Sequence, residues 1–256
     1  MSRFKNLELG QNQAPAKTGV PVPSAALCLH AAERAFMQGD FEAALRSYGR
    51  ALEFQPDDPA AWLGQVRMFI ELDDLPQAKS LADTALQRFP DHPELLAARA
   101  VTLARERQTE AALAFSDAAI EAAPQAPYVW LSRGDILLAS GGPQSEFCFR
   151  QAIQLHGGTW LGYWLSSRVH HFHRKFTLAL NYAQQALALD AAQSAVWLQL
   201  GRCQEALGLD LPAQNSFAQA FQLNPASLAA QLAQAAPGAG GFTSRLVRLA
   251  RRLFHR

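Results

Sequence analysis

The sequence predicts an all-α protein, an α-solenoid built from about six helix-turn-helix repeats. Three observations lead to this prediction: a small residue recurs about every 34 positions, a second small residue recurs in step with it, and prolines follow the same period. The first series is Ala51, Ala85, Ala119, Ala152, Ala186 and Ala220. The second series is Ala44, Ala78, Ala112, Ser145, Ala179 and Ala213. Both series share one single-residue deletion, which chance does not explain.

Each repeat divides into two helical patterns. In the first repeat, "SAALCLHAAERAFMQGD" ends at the turn residues Gly39 and Asp40, and "FEAALRSYGRALEFQP" ends at Pro56. Other repeats close on Pro90, Pro124 and Pro225. Because small side chains let two helices approach closely, the two series predict antiparallel pairs packed through alanine.

The motifs that recur in this register resemble those of tetratricopeptide repeat (TPR) proteins. They are "AWLGQVRMFIELDDLPQAKSLADTALQRFP", "VWLSRGDILLASGG" and "VWLQLGRCQEALGLDLPAQNSFAQAFQLNP", with Trp62, Trp130 and Trp197 early in the first helix. The resemblance implies a right-handed solenoid with units at about 25–58, 59–92, 93–126, 127–159, 160–193 and 194–225. Val66 and Ser145 depart from the family pattern, and "LHGG" replaces a closing proline, so we expect an irregular joint between units four and five.

The segments outside the repeats have different compositions. Residues 1–23 are rich in Pro, Gly and Ser and predict a disordered leader before a solenoid over 24–225. Residues 226–236 resemble the capping helix of such arrays. "PGAGG" at 237–241 predicts a flexible linker, and 242–256 a separate basic amphipathic helix.

Composition limits the environment of the protein. With 49% hydrophobic and 18% charged residues, the chain has enough apolar surface to fold. Cys28, Cys148 and Cys203 are far apart in sequence, which argues against disulfides and indicates a reducing compartment. The sequence shows no secretion signal and no apolar stretch of membrane-spanning length. We therefore expect a cytoplasmic protein, which the C-terminal segment could hold peripherally at the inner face of a membrane.

The sequence contains no recognisable catalytic motif: it has no phosphate-binding loop, no HExxH and no nucleophile elbow. We therefore expect no enzyme activity and no cofactor. His170, His171 and His173 form the one cluster that suggests metal chemistry. No Asp, Glu or Cys lies in the adjacent turns, so we expect no metal site. A regulatory or metal-dependent role for this cluster is the alternative function.

The TPR resemblance implies that the first helices line a concave groove that binds a peptide or a helix. The expected groove residues form an apolar wall with a few charges. They are Glu33, Leu63, Arg67, Tyr128, Leu131, Asp135, Trp164, Arg168, His171, Phe172, Leu198 and Arg202. The alternative for Trp164 and Phe172 is packing within or between units, and for the arginines it is simple solvation.

The last fifteen residues, "FTSRLVRLARRLFHR", contain five arginines and no carboxylate, although the whole chain has a formal net charge of only +1. On a helical wheel the apolar residues fall on one side and the arginines on the other. The expected contact residues of this tail are Phe242, Arg245, Leu246, Arg248, Leu249, Arg251, Arg252, Leu253, Phe254 and Arg256. An anionic membrane surface, a partner protein and packing on the solenoid itself remain open.

Nucleic acid is the least favoured partner of the tail, because residues 1–241 carry a formal charge of −4. The sequence thus predicts a non-catalytic scaffold that binds a protein or peptide in its groove and attaches to a membrane or a partner through its tail.

Overall fold

The computed structural model describes residues 24–234, and within this range it contains thirteen α-helices and no strand, which confirms the all-α prediction. Consecutive helices pack in pairs, and each pair packs on the next. The helices are α1 Ala25–Met37, α2 Phe41–Phe54, α3 Pro59–Glu71, α4 Leu75–Arg88, α5 Pro93–Arg105, α6 Thr109–Ala122, α7 Pro127–Ser140, α8 Ser145–Leu155, α9 Trp160–Phe172, α10 Phe176–Leu189, α11 Ser194–Ala206, α12 Asp210–Leu223 and α13 Leu228–Gln234.

The turn inside each helix pair has the same geometry in all six units. One residue per turn has a positive φ, and it is followed by a backbone hydrogen bond of 2.7–3.0 Å that reaches back five residues, as from Asp40 N to Ala35 O. This is the Schellman motif, which satisfies carbonyls at the end of a helix. The positive-φ residues are Gly39, Asp73, Arg107, Gly141, Arg174 and Gly208.

The small residues of the two periodic series are buried where paired helices meet. Every alanine of the first series is at most 1% exposed, and every residue of the second series is at most 6% exposed. Glycine likewise allows two helices to approach closely where the facing side chain is a large ring. A Cβ atom on Gly201 would overlap the ring of Phe217, so only glycine permits this approach.

The tryptophans of the motif stabilise the turns between units. The indole N–H groups of Trp62, Trp130 and Trp197 each donate to a backbone carbonyl six residues earlier, at 2.7–2.8 Å. Gln231 of α13 makes the same contact with Pro225 O at 2.7 Å. α13 therefore continues the repeat register at the position of a seventh first helix, and it packs on the last pair.

The repeat is irregular between the fourth and fifth units. The second helix has 14 residues in the other five units, but α8 has only 11. Gly157 and Gly158, which follow it, both have positive φ. Two consecutive left-handed residues redirect the chain before α9 begins, which only glycine does without strain.

The first unit touches the fifth and sixth units, so the solenoid closes on itself. The rings of Phe36 and Phe41 lie 5.7 and 6.3 Å from the ring of Trp164. A Cβ atom built on Gly39 would lie 3.4 Å from Cβ of Ala195, whose carbonyl accepts a hydrogen bond from Trp164 Nε1 at 3.1 Å. One apolar core consequently runs from α1 to α11.

Several predicted segments lie outside the described residues. They are the leader at 1–23, the last two residues of the predicted capping segment 226–236, the linker at 237–241 and the amphipathic segment at 242–256. Among residues 24–234, no helix is both long enough and apolar enough to cross a bilayer.

Candidate functional site: the inner wall

All twelve predicted groove residues lie on the first helices of the units, on α1, α3, α7, α9 and α11. Half of the twelve side chains are buried, but only Arg67, Tyr128, Leu131 and Asp135 line one central cavity. Leu198 instead packs with Ala213 and Phe217 in the last units. The buried ones are Leu63, Tyr128, Leu131, Asp135, Trp164 and Leu198. Glu33 is exposed and Phe172 is 37% exposed, whereas Arg67, His171 and Arg202 are partly exposed.

Arg67 is held between two aromatic rings. Its guanidinium carbon lies 4.3 Å from the ring centroid of Tyr128 and 5.1 Å from that of Phe36. A guanidinium over a ring face is attracted by the ring quadrupole. Burial raises the pKa of Tyr128 to about 12, against a smaller lowering by Arg67, so the phenol stays neutral at neutral pH. Within residues 24–234, no carboxylate forms an ion pair with Arg67.

Arg168 connects the fifth unit to the second. Its Nε and Nη2 atoms both donate to one carboxylate oxygen of Glu71, at 2.8 and 2.5 Å, although 97 residues separate the two. Its guanidinium carbon also lies 4.2 Å from the ring centroid of Phe41. The side chains of Arg168 and Glu71 are 12% and 21% exposed, so the pair is largely shielded from water.

Asp135 forms a buried ion pair that connects three consecutive units. Arg105 Nη2 lies 2.7 Å from its Oδ2 atom and His173 Nε2 lies 2.7 Å from its Oδ1 atom. Burial by itself raises the pKa of Asp135, but the charge of Arg105 and the hydrogen bond from His173 outweigh burial and lower it. The guanidinium of Arg105 also lies 3.6 Å from the ring centroid of Phe172.

Little space remains between these side chains. The cavity at the centre has a volume of about 20 Å³, which is enough for a water molecule but not for a peptide side chain. It is lined by Arg67, Ile70, Glu71, Val101, Arg105, Tyr128, Leu131, Ser132, Asp135 and Val169. The structure therefore shows the inner wall in a closed form, in which its arginines contact aromatic and acidic residues of the same chain.

Glu71, Arg105 and His173 also belong to this site, although none of them is among the predicted groove residues. The repeat register contained a signal for the first two, because Glu71, Arg105 and Phe172 occupy equivalent positions of three units. Each lies four residues after an inner-wall position, one further turn along the same helix face. No comparable signal exists for His173, which lies just beyond the end of α9.

The three histidines of α9 and its C-terminal cap have separate environments. His170 is completely buried; its Nδ1 lies 2.8 Å from Ser166 O, and its Nε2 lies 2.8 Å from Glu146 Oε1. His170 thus has no free ring nitrogen for a metal, and His173 is bonded to Asp135. In the part of the chain that the structure describes, no group of three or more His, Cys, Asp or Glu residues is arranged to hold a metal ion.

The buried thiols lie among apolar and small polar side chains. Cys148 is 3% exposed and Cys203 is fully buried. Burial raises the pKa of Cys203 to about 11, although hydrogen bonds from Ser167 and Gln199 oppose the change. A thiol with such a pKa is protonated at neutral pH and is a weak nucleophile.

Comparison with known proteins agrees with this architecture. The family model for the tetratricopeptide repeat matches residues 35–102. A solved tetratricopeptide repeat protein from Parabacteroides merdae superposes with a TM-score of 0.51 at 18% identity, covering 82% of each chain. No curated protein matches the sequence.

Two further solved structures are similar over most of this chain. One belongs to the APC/C hetero-tetramer Cut9-Hcn1, with a TM-score of 0.48 and 14% identity over 84% of this chain; the match spans only 43% of that longer chain. The other is YrrB, described as a TPR protein with an unusual peptide-binding site, with a TM-score of 0.38 and 16% identity over 83% of this chain and 93% of its own.

The repeated helix pairs, the Schellman turns and the family match together define the class of protein: an α-solenoid of the kind that serves as a protein-protein interaction scaffold. Residues 35–102 match the tetratricopeptide repeat, and the helix pairs that follow them repeat the same architecture. Repeats of this family are typically non-catalytic and bind proteins or peptides.

Proposed function

We propose that this TPR protein is a non-catalytic adaptor whose inner wall binds an acidic peptide or helix of a partner protein. The observation that supports this proposal is Arg67. It lines the central cavity, stacks on Tyr128 and forms no ion pair with any carboxylate of residues 24–234. A guanidinium in such a place is suited to a partner's carboxylate, because a charge-assisted, bidentate pair is stronger in a shielded site than in water.

Binding requires that the closed inner wall opens. The cavity of about 20 Å³ admits no side chain, so a partner has to replace the contact of Arg168 with Glu71 and displace the first unit from Trp164. A partner segment that carries both a carboxylate and an aromatic ring offers the same contacts as Glu71 and Phe41. Its apparent affinity is reduced by the small population of the open form.

The experiment that tests the inner wall is affinity purification with the full chain as bait. In the test bait, Arg67→Ala and Arg168→Ala remove two inner-wall arginines. In the control bait, Arg46→Ala and Arg50→Ala remove two exposed arginines of α2. We expect partners to be lost from the test bait and retained by the control, with circular dichroism showing intact helices in both. Equal recovery from both baits contradicts the proposal.

For the tail, we propose reversible attachment to an anionic membrane surface, which would place a cytoplasmic protein at the inner face of a membrane. The segment 242–256 has six large apolar side chains and five arginines. At about 1.5 kcal/mol per apolar side chain and about 1 kcal/mol per arginine, their gross contribution is about 14 kcal/mol. Ordering fifteen backbone residues costs about 15 kcal/mol, so binding would be weak and sensitive to salt.

Sedimentation with vesicles tests the membrane attachment. Vesicles of phosphatidylserine and phosphatidylcholine should sediment the full chain, and removal of residues 242–256 should abolish this while leaving the helix content of the repeats unchanged. Leu246→Ser with Leu253→Ser keeps every charge and should weaken sedimentation, because the apolar face is lost. If the truncated chain sediments as the full chain does, the tail is not the membrane anchor.

A further inference from the structure

Three leucines are exposed to solvent within five residues, where the turn after α11 leads into the start of α12. Leu207, Leu209 and Leu211 are 38%, 43% and 74% exposed. Leu209 occupies the N-cap position of α12, and the equivalent residue is polar in every other unit: Asp40, Asp74, Gln108, Gln144 and Lys175. An apolar side chain satisfies no backbone N–H at the start of a helix. Helix stability therefore does not explain the leucine.

The leucine turn is bordered by negative charge. Glu205 and Asp210 are exposed and lie on either side of Leu207 and Leu209 in sequence. Neither of them forms an ion pair with another residue of 24–234, and residues 203–234 contain no lysine or arginine. This surface, formed by residues 205–211, is thus an apolar patch with an acidic border. It is complementary to a ligand that has an apolar face and positive charge.

The chain itself contains such a ligand close to the patch. Residues 242–256 combine leucine and phenylalanine with five arginines. They follow α13, which packs on α11 and α12, after a connection of seven residues at 235–241. Seven residues span up to about 25 Å when extended, and the 14 residues of α12 measure about 21 Å. The connection is long enough to reach the first turn of α12 from the end of α13.

We infer that residues 242–256 dock on the leucine turn at 205–211 of the same chain. Their apolar side chains cover Leu207, Leu209 and Leu211, and their arginines face Glu205 and Asp210. Because the same apolar face cannot contact the leucine turn and lipid at once, docking competes with membrane attachment. The inference goes beyond the proposed function and does not depend on it, since docking on the solenoid needs no membrane.

Limited trypsin cleavage of the full chain tests the docking. Trypsin cuts after arginine, and docking protects the arginines of the tail. The test variant is Leu209→Gln with Leu211→Gln; glutamine is the residue of the α6 and α8 N-caps, so the fold tolerates it at position 209. The control variant is Leu189→Gln with Leu223→Gln, which removes two leucines, 53% and 44% exposed, at the C-terminal ends of α10 and α12.

Mass spectrometry measures how fast trypsin releases the C-terminal peptides. We expect this release to be about tenfold faster in the test variant, which corresponds to a loss of about 1.4 kcal/mol of docking free energy. The control variant should match the wild type. Equal rates in all three proteins overturn the inference, and so does protection that increases with protein concentration, because the tail would then dock on a second copy. Sedimentation with the anionic vesicles should increase in the test variant, because an undocked tail is available to lipid. If no variant sediments, the membrane proposal fails, and the protease result still decides whether the tail docks.

Discussion

Replacing Asp135 by asparagine should destabilise the protein strongly. Asp135 is 2% exposed and pairs with both Arg105 and His173 at 2.7 Å. Asparagine removes the negative charge, and its amide can present only one oxygen to two donors. The guanidinium of Arg105, whose side chain is 6% exposed, then remains charged and unpaired in the core. Breaking a buried pair in this way costs about 3–5 kcal/mol.

A matched control separates this cost from that of an ordinary surface pair. Asp117 contacts Arg133 at the same distance, 2.7 Å, but the Asp117 side chain is 67% exposed. Asp117→Asn should therefore change the free energy of unfolding by less than about 1 kcal/mol. A double variant, Arg105→Met with Asp135→Asn, should lose less than the sum of the two single variants, because no charge remains unpaired in the core.

Urea unfolding, monitored by far-ultraviolet circular dichroism, measures the free energy of unfolding. Because a solenoid need not unfold as one unit, amide hydrogen exchange of α5, α7 and α9 measures local stability as well. If Asp135→Asn costs no more than Asp117→Asn, the buried pair does not connect the three units in solution.

The same carboxylate predicts how stability depends on pH. Because the folded-state pKa of Asp135 is lowered below its ordinary value of 3.8, folding favours the ionised form. The resulting contribution to stability is fully present above the ordinary value and is lost as the pH falls through the lowered, folded-state value. Unfolding curves recorded between neutral and strongly acidic pH should show this loss in the wild type but not in the asparagine variant.

Four further substitutions follow from particular contacts. Gly201→Ala should lower the free energy of unfolding by about 1–3 kcal/mol, because the new methyl group overlaps Phe217. Gly49→Ala, in the interior of α2, meets only a flexible glutamine and should raise the free energy of unfolding by up to about 1 kcal/mol. Thermal unfolding compares the two variants. Arg107→Gly should stabilise by about 0.5 kcal/mol in the same assay, because arginine there has a φ of 66°. Arg168→Gln should accelerate amide hydrogen exchange in α1 and α2 and lower the free energy of unfolding by about 2 kcal/mol. The reason is the loss of the charged hydrogen bonds that connect units two and five. Unchanged amide exchange would show that the first unit is held without these bonds.

The repeat register and the pairing of helices could be predicted from sequence because they depend on interactions over short distances along the chain. Small residues such as Ala51 and Ala85 are needed wherever two paired helices touch, and each turn needs its Schellman geometry within a few residues of Gly39 or its equivalents. The same period then assigns every inner-wall residue to a first helix. Local regularity of this kind is visible in a single sequence.

The tertiary structure alone decided whether the inner wall is open. The small rotation between neighbouring units accumulates over the array. A change in this rotation that is too small to appear in the sequence pattern therefore determines whether unit one meets units five and six. Here it does, so Trp164 is buried against Phe36 and Phe41, and Arg168 meets Glu71 across 97 residues of sequence. The same repeat pattern fits both an open groove with free arginines and a closed centre with paired arginines. Burial of the inner wall depends on the radius of the superhelix and not on the periodicity of its residues.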